Sequence, residues 1–406
     1  MRYVQLFLFA LVPLLIRASQ NSPVTVQFHD LESRLSQSPV RVLLNERAKS
    51  DIARKRAALQ WRNPELEAEH EALSSSYEKE QENMIIGSKS FSTPWVRTAH
   101  KKFRSFQVAA AESQLVHDER MLLAEWKTTY VKLQLLNKLQ QRLRTFSQGI
   151  QKASDAAGDR YKQGTISGLE NKLIQTTVFH VKGSLLHLSK EYRELESKFK
   201  TELGVASDKS LVLKTPIDFV AVDIDSQYLM SQISYSPLLQ KYAKSKKAAA
   251  SHATMEKGKV VGEFKIKAGY KQVNDDFRGS VIGLSLPLPV LNQNQRSIEA
   301  ARSDVRTASI EYDLARQDIE NRIREHIITV RRAKKLLSEY AEFFRSANQI
   351  GDLFYSFENG WLSLGDLLSG IRVSADGLQK YTTHLSHYYR AVFQLEALTG
   401  HSLIEF

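Results

Sequence analysis

Only a few side chains stand at spacings that could support chemistry. His384 and His387 would lie one turn apart on a helix, where two imidazoles can share a metal ion, but no Cys or acidic ligand lies near them. A solvated helix face is therefore the preferred interpretation, and no metal site is predicted. The chain contains no Cys, which excludes thiolate metal sites, cysteine catalysis and disulfide frameworks. No Gly-rich phosphate loop, Ser-His-Asp set or metal-bridging carboxylate pair stands out, so neither catalysis nor a cofactor is expected.

Two runs of charged residues alternate with other residues, as side chains on opposite faces of a β-strand do. One run is acidic and the other is basic. The charged positions are Glu65, Glu67, Glu69 and Glu71 in the first run, and Lys265, Lys267 and Lys271 in the second. The acidic run could bind cations or form an ordinary hydrated strand face, and both interpretations stay open at this point.

The composition indicates a folded protein with long, uninterrupted elements. Apolar residues make up 42% of the 406 positions and charged residues 25%, which excludes a disordered chain, collagen and a polytopic helical membrane protein. Only 18 Gly and 9 Pro interrupt the sequence. The formal net charge is +12, but Lys and Arg are dispersed rather than gathered in one block, so no nucleic-acid partner is expected.

The N-terminus has the layout of a secretory signal peptide. One positive charge precedes an apolar stretch from Val4 to Ile16, and small residues follow at Ala18 and Ser19. This stretch is shorter than the about 20 apolar residues that cross a bilayer as a helix. We therefore predict an exported protein with a leader over residues 1–18. No later stretch is long enough to span, so any contact with a membrane would be made by strands or by a surface.

The chain repeats a set of landmarks at a fixed offset of 196 residues. The pairs are Gly87 and Gly283, Tyr161 and Phe357, Gly164 and Gly360, Ser167 and Ser363, and Gly204 and Gly400. So many coincidences in one register indicate an internal duplication. We predict a first repeat over residues 19–206, a connecting segment over residues 207–232 and a second repeat over residues 233–406.

Each repeat is predicted to contain a helix, a β-hairpin, a very long helix, a turn and a returning helix. Ser38-Pro39 and Ser236-Pro237 predict the starts of the first helices, with Ser as the cap and Pro in the first turn. Tracts without Gly or Pro over residues 95–148 and 290–350 predict the long helices. The predicted hairpins lie at about 63–94 and 260–289, and the predicted turns at about 161–168 and 357–364.

The long tracts carry an apolar residue every three or four positions, which is typical of a coiled-coil seam. The seam positions are Leu122, Trp126, Tyr130, Leu133, Leu136, Leu139, Leu143, Phe146 and Ile150 in the first tract, and Ile298, Ala301, Val305, Ala308, Tyr312, Ala315 and Ile319 in the second.

The two hairpins are too few to form a membrane barrel alone, because they provide four strands and a barrel needs at least about eight. The second hairpin has a clear apolar face, whereas the first is only weakly apolar opposite its acidic run. The apolar positions of the second hairpin are Phe264, Ile266, Ala268, Tyr270, Ile282, Leu284, Leu286 and Leu288. Several chains would have to contribute, and three would supply twelve strands around a polar lumen.

The sequence resembles the outer-membrane efflux proteins of the TolC type, and most of all the outer components of heavy-metal (cobalt–zinc–cadmium) resistance pumps. The resemblance covers essentially the whole chain after the leader. The residues that carry it are Asn63-Pro64-Glu65-Leu66, the run from Gly283 to Pro289 with Asn292-Gln-Asn294, the run from Phe357 to Leu368, and Leu398-Thr399-Gly400.

The resemblance implies a homotrimer in the outer membrane of a Gram-negative bacterium. A twelve-stranded barrel would continue into a long α-helical barrel in the periplasm. It implies passive conduction of substrate, with heavy-metal cations favoured, from a periplasmic adaptor and an inner-membrane transporter of the RND type, and it implies no catalysis. The acidic and basic runs would line the lumen of the barrel.

The resemblance also assigns the periplasmic tip, where the turns narrow the tunnel. The aperture residues would be Tyr161, Gly164, Glu170, Phe357, Gly360, Leu362, Asp366 and Ser369. Some family members close this tip with a Tyr and an Arg on the second repeat that bond to an acid on the first. Phe357 and Leu362 occupy those positions here, so a closed tip would depend on packing rather than on an ion pair.

Two other classes of protein remain open from the sequence. A periplasmic adaptor would also have a leader and a helical hairpin, but it should contain several short Gly-rich β modules, which the sequence lacks. A periplasmic coiled-coil scaffold without a pore fits the heptad seams and would need no lipid. The weakly apolar first hairpin is the feature that favours these alternatives.

Overall fold

The structure, a computed structural model, describes residues 23–77, 79–274, 277–346, 349–404 and 406, without the side chains of residues 341–350. The predicted leader over residues 1–18 and the predicted turn residues Asp275 and Asp276 lie outside the described residues.

The described part of the first half runs from a short strand to two long helices. Its elements are β1 (Val24–Val26), α1 (Leu31–Gln37), α2 (Pro39–Ala57), β2 (Glu65–Ser74), β3 (Lys79–Ser92), α3 (Pro94–Lys162) and α4 (Gly168–Leu203). At about 1.5 Å per residue, α3 reaches roughly 100 Å.

The second half repeats this order after a connecting segment. The connecting elements are β4 (Leu211–Leu213) and α5 (Ser226–Ser231). The repeat itself consists of α6 (Pro237–Gly258), β5 (Glu263–Val273), β6 (Phe277–Ser285), α7 (Gln295–Ser346), α8 (Gln349–Glu358) and α9 (Leu364–Thr399). Within the described residues, the predicted helix over residues 290–350 therefore begins at Gln295 and reaches Ser346.

The returning strand of the second hairpin is shorter than the sequence pattern predicts. β6 ends at Ser285, so Leu286 and Leu288 lie beyond the strand. Pro287 and Pro289 explain the difference, because proline has no N–H to donate to a neighbouring strand.

Landmark residues of the two halves adopt the same backbone conformations. Gly164 and Gly360 have φ of 76° and 78°, and Gly204 and Gly400 have φ of 73° and 75°. These left-handed values end the long helices and the returning helices, where a residue without Cβ avoids steric strain.

The first helices of the two halves differ in their caps. The Ser38 hydroxyl accepts a hydrogen bond from the Arg41 N–H at 3.2 Å, as expected of an N-cap residue. Ser236 also stands before the Pro of its helix, but its side chain makes no cap hydrogen bond. Ser236 is thus the N-cap residue of α6, as predicted, with Pro237 in the first turn, but its buried hydroxyl makes no hydrogen bond to the helix.

The seam of α3 is buried in two apolar clusters. From Trp126 to Leu135 the helix packs with β1, β4, α7 and α9 in a central cluster, and from Leu136 to Ala157 it packs with α4, α8 and α9 near the tip. All predicted seam residues of α3 are buried except Leu122, which packs at the edge of the central cluster.

Three tyrosine hydroxyls fix the segment between the repeats to the long helices. The Tyr130 hydroxyl donates to Val26 O at 3.2 Å and accepts from Thr215 N–H at 2.9 Å. The Tyr388 hydroxyl donates to Val220 O at 2.9 Å and accepts from Val222 N–H at 2.8 Å. Tyr389 accepts from Val220 N–H at 3.0 Å and donates to the Asp218 carbonyl. Most of the bonded backbone groups belong to residues 215–222, which lie in none of the described strands. The tyrosine hydroxyls therefore supply partners that a neighbouring strand would otherwise provide.

The two hairpins form one antiparallel sheet in the order β2-β3-β5-β6. Strands β3 and β5 pair across the repeats, with Ser92 opposite Glu263 at the end where the helices begin. Among the described strands, β2 and β6 each have a partner on one side only. The sheet therefore has two free edges, and unpaired edges invite pairing with another chain.

Candidate functional site

The strand register places the acidic and basic runs on the same face of the sheet. Glu65 lies opposite Ser88, Ser88 opposite Lys267, and Lys267 opposite Gly283. Since directly paired residues of antiparallel strands point to one side, every second residue from Glu65 shares this side with the predicted lysines. We call it the charged face. All the predicted lumen positions lie on it: Glu65, Glu67, Glu69, Glu71, Lys265, Lys267 and Lys271.

Ion pairs connect the strands across the charged face. Lys265 Nζ lies 2.8 Å from Glu65 Oε2, and Lys271 Nζ lies 2.5 Å from Glu82 Oε1. Glu82 was not singled out in the sequence, although the alternation along β3 could have revealed it. Glu69 and Glu71 are exposed on the same face. The charged face therefore exposes both acidic and basic side chains to solvent.

The opposite face of the sheet is apolar and exposed. Leu66 is 77% exposed and Ile282 is 83% exposed, and both lie level with Gly87 and Ala268 across the sheet. We call it the apolar face. Its large members are Leu66, Ile85, Phe91, Phe264, Ile266, Tyr270, Ile282 and Leu284. Soluble monomers rarely leave such a continuous apolar surface in water.

None of the described helices combines the length and the apolar character of a membrane-spanning helix.

A buried carboxylate fixes the junction between the sheet and the helices. Glu256 of α6 accepts hydrogen bonds from Lys259 Nζ at 2.6 Å and from Asn294 Nδ2 at 3.0 Å, and His252 Nε2 lies 3.4 Å away. Asn294 has a φ of 60° directly before α7, and its amide also donates to the Glu256 carbonyl. Burial acts to raise the pKa of Glu256, but the bonds from Lys259 and Asn294 outweigh it and hold the pKa below its ordinary range.

The lowered pKa predicts an acid-sensitive junction. Ionised Glu256 stabilises the fold above the ordinary pKa of Glu, about 4.3, and this contribution is lost as the pH falls through the lower pKa of the folded state. We expect Glu256→Gln to cost about 1–3 kcal/mol at pH 7, because Lys259 loses its charged partner. The thermal midpoints of variant and wild type should converge as the pH falls through this lowered pKa.

Glu46→Gln is the matched control for that prediction, because Glu46 forms an exposed ion pair with Lys49. It should leave the thermal midpoint unchanged, since exposed ion pairs contribute little. Equal midpoints of wild type and Glu256→Gln at pH 7 would show that the junction does not depend on this carboxylate.

The two turns at the far end of the long helices have the same architecture. Ser167 Oγ accepts from Glu170 N–H at 3.2 Å, and Ser363 Oγ accepts from Asp366 N–H at 3.2 Å. The Glu170 carboxylate accepts in return from Ser167 N–H at 2.7 Å, and these bonds from Ser167 lower the pKa of Glu170. Glu170 thus completes a capping box with Ser167, whereas the Asp366 carboxylate bonds only to the hydroxyl of its cap residue Ser363.

The remaining tip residues divide into buried and exposed groups. Phe357 is 2% exposed and belongs to the apolar cluster near the tip, and Leu362 packs against that cluster. Tyr161, Gly164, Gly360 and Ser369 are exposed. The structure therefore brings all the predicted tip residues to one end of the helices. Phe357 and Leu362 belong to the apolar contacts there.

A cation contacts the buried aromatic ring of the tip. The guanidinium of Arg160, at the end of α3, lies 5.0 Å from the centre of the Phe357 ring. This contact joins the first repeat to the second. Arg160 was not among the predicted tip residues, because only the fold shows which residue of α3 meets Phe357.

The described structure places no further metal ligands beside the two histidines of α9. His384 and His387 are exposed on α9. Within the described residues, no group of three or more His, Asp or Glu side chains is arranged to hold a metal ion.

Comparison with known proteins gives a fold but no sequence family. No protein-family model and no curated protein matches the sequence. Solved structures do match over nearly the whole chain. CusC, from a study of transmembrane channel formation, is 13% identical with a TM-score of 0.76, and the match covers 93% of each chain. The chain has the fold of an outer-membrane channel.

Other solved proteins share this outer-membrane channel fold. The outer-membrane protein VceC of Vibrio cholerae is 13% identical with a TM-score of 0.74, and the match covers 93% of this chain and 97% of VceC. The MtrE outer-membrane channel of Neisseria gonorrhoeae, in its open state, is 11% identical with a TM-score of 0.68, over 93% of this chain and 89% of MtrE. The predicted TolC-like fold class, mainly helical with β-hairpins, is thereby confirmed.

Proposed function

We propose that the protein is the outer-membrane channel of a tripartite efflux system. The observation that carries this proposal is a sheet with one exposed apolar face and two free edges, in a chain with the fold of outer-membrane channels. Three chains would join edge β6 of one to edge β2 of the next, which closes a twelve-stranded barrel. Closure satisfies the edge N–H and C=O groups, and lipid cannot do so.

In this arrangement the charged face lines a water-filled lumen and the apolar face contacts lipid. Glu65, Glu67, Glu69, Glu71, Lys265, Lys267 and Lys271 would be the lumen residues. The long helices of three chains would continue the bore through the periplasm. Because the lumen offers charges of both signs, it conducts ions passively and does not need to bind the cargo tightly.

The turns would form the periplasmic aperture, where an adaptor and an inner-membrane RND-type transporter meet the channel. Around the axis, three copies of Asp366 would attract cations, although salt screens so small a cluster. Phe357 and Leu362 provide no ionic closing contact, so we propose a tip that opens more easily than an ion-paired one. Leu362→Arg should then lower the single-channel conductance. A wild-type conductance that is already low, and that Leu362→Arg leaves unchanged, would contradict the proposal.

Heavy-metal cations are the proposed cargo. The acidic residues of the charged face and the capping acids of the tip favour cations over anions. A deletion strain should become sensitive to metal salts, and the wild-type gene should restore resistance. If the deletion strain keeps its metal tolerance but becomes more sensitive to organic toxicants, the cargo of the channel is organic rather than metallic.

Conductance in a planar bilayer tests the channel function directly. The purified chain should produce discrete conductance steps in a lipid bilayer, and it should float with liposomes in a density gradient. A periplasmic scaffold or adaptor would do neither. Failure to float, with the chain folded and monomeric in water, would contradict the proposal.

A further inference from the structure

An aromatic cluster lies where the apolar face of the sheet meets the helices. Trp61, in the segment before β2, packs edge-on against Phe91 with ring centres 6.0 Å apart. Phe91 stacks on Phe264 of the neighbouring strand at 5.5 Å. Phe91 and Phe264 are directly paired across β3 and β5, one residue from the end of the paired region. The cluster therefore marks the boundary between the apolar face and the helical part of the protein.

Two cations lie against the indole ring of this cluster. The Arg97 guanidinium lies 3.6 Å from the centre of the Trp61 ring, within the range of a cation–π contact. Lys89 Nζ lies 5.8 Å from the same ring and 5.6 Å from the Phe91 ring. Among the described residues, neither cation forms an ion pair with a carboxylate, although such pairs occur elsewhere in the sheet.

Lys89 is unusual for its position in the strand. Its neighbours on the apolar face are Phe91 and, across the strand pair, Ile266. A further cation of this face, Arg278, lies towards the opposite end of the sheet. A cation among apolar side chains is costly in hydrocarbon but favourable at the interface, where the ammonium reaches a headgroup while its methylene groups stay with apolar neighbours. Trp61 is 50% exposed, and tryptophan also prefers this interfacial depth.

The helix ends behind the cluster add further positive charge. They are the end of α2, the start of α3 and the end of α6, and together we call their cations the basic collar. Its members are Arg54, Lys55, Arg56, Arg62, Lys101, Lys102, Lys257 and Lys259. Three of them form ion pairs with a carboxylate of the same region. These pairs are Lys55 with Asp51, Arg62 with Glu263, and Lys259 with Glu256. The region next to the apolar face thus has a clear excess of positive charge.

We propose that Trp61, Lys89 and Arg97 form a binding site for the phosphate of an anionic glycerophospholipid in the membrane leaflet nearest the helices. The guanidinium, held against the indole, would donate two hydrogen bonds to phosphate oxygens. Lys89 would add a second donor from the strand, and the acyl chains would lie on the apolar face. The basic collar attracts the negative headgroup to the site. This inference rests on the proposed membrane position of the sheet.

Native mass spectrometry with the full chain in detergent tests the site. The delipidated protein is titrated with phosphatidylglycerol and, separately, with phosphatidylcholine. The test variant is Lys89→Gln with Arg97→Gln. The control variant is Arg144→Gln with Lys152→Gln, which removes the same charge from exposed positions of α3 far from the sheet.

We expect the test variant to bind phosphatidylglycerol about tenfold more weakly than wild type does, since each cation near a headgroup contributes substantially. The control variant should bind it as wild type does, and binding of phosphatidylcholine should differ little among the three proteins. Equal affinities of the test and control variants for phosphatidylglycerol would overturn the proposal.

Two further measurements separate this site from its alternatives. Glycerophosphoglycerol, which has the headgroup without acyl chains, should not compete at equimolar concentration, and effective competition would indicate a soluble phosphate site instead. Flotation with liposomes reports the membrane position independently. A test variant that floats normally and keeps wild-type lipid affinity would overturn only the lipid site, whereas a wild-type chain that does not float would overturn the proposed function.

Discussion

Replacing Ile282 by Arg is expected to abolish insertion of the protein into a bilayer. Ile282 is 83% exposed near the middle of β6, on the apolar face. An arginine that faces lipid at the middle of a barrel strand costs about 2–4 kcal/mol per chain, and this cost occurs three times in the proposed trimer. Flotation with liposomes and planar-bilayer conductance should both fall by at least roughly tenfold.

Gly279→Arg is the matched control on the same strand. Gly279 lies opposite Lys271 on the charged face, and a side chain added there meets no neighbouring atom within 4 Å. This variant should insert like wild type, and only its conductance or ion selectivity should change. If Ile282→Arg inserted normally and Gly279→Arg did not, the apolar and charged faces would have been assigned the wrong way round.

Removing the hydroxyl groups of Tyr388 and Tyr389 together is expected to weaken the centre of the molecule. Each hydroxyl both donates to and accepts from the backbone of the segment around Val220, and both side chains are fully buried. Phenylalanine keeps the packing but leaves these backbone groups without partners. A buried unsatisfied group costs about 1–3 kcal/mol, so the double Phe variant should lose about 2–5 kcal/mol.

Thermal unfolding in detergent checks this expectation. The double variant should unfold at a clearly lower temperature, and amide hydrogen exchange should accelerate first in residues 218–222. Tyr235→Phe is the control, because Tyr235 is 72% exposed. A double variant as stable as that control would mean that water satisfies the segment in place of the tyrosines.

These tyrosine contacts also show what the sequence could not predict. The three-and-four spacing along α3 is a local pattern, so the buried positions from Trp126 to Ile150 were predictable. The partners of the Tyr388 and Tyr389 hydroxyls lie far away in the sequence, and no local pattern indicates them. The same holds for β1 and β4, three-residue strands whose parallel pairing depends on the whole fold.

The sheet was predictable in character but not in extent. Alternation along β2 and β5 predicted one charged side for each hairpin, yet only the pairing of β3 with β5 puts both charged sides on one face. The first hairpin looked weakly apolar because β2 alone supplies Leu66, Ala68 and His70. Its partner β3 adds Ile85 and Phe91, so the apolar face is continuous across both hairpins.

At the tip, the structure adds contacts that residue types alone did not indicate. Glu170 and Asp366 were predicted as aperture acids, and both carboxylates bond to the cap serines of their helices. A capping acid can still face an aperture, because the cap uses only part of its hydrogen-bonding capacity. Arg160 and Phe357 meet only because the ends of two repeats pack together, which a single sequence does not reveal.

The proposed barrel requires three chains to join through the free edges β2 and β6. Since the natural sequence has no Cys, the double variant Leu66→Cys and Ile282→Cys introduces one thiol at each edge. Treating intact cell envelopes with a short bifunctional maleimide measures whether these edges are neighbours in different chains. We predict a covalent trimer with the double variant and none with either single variant. A double variant that stays monomeric, although both thiols react with a monofunctional maleimide, would contradict the account.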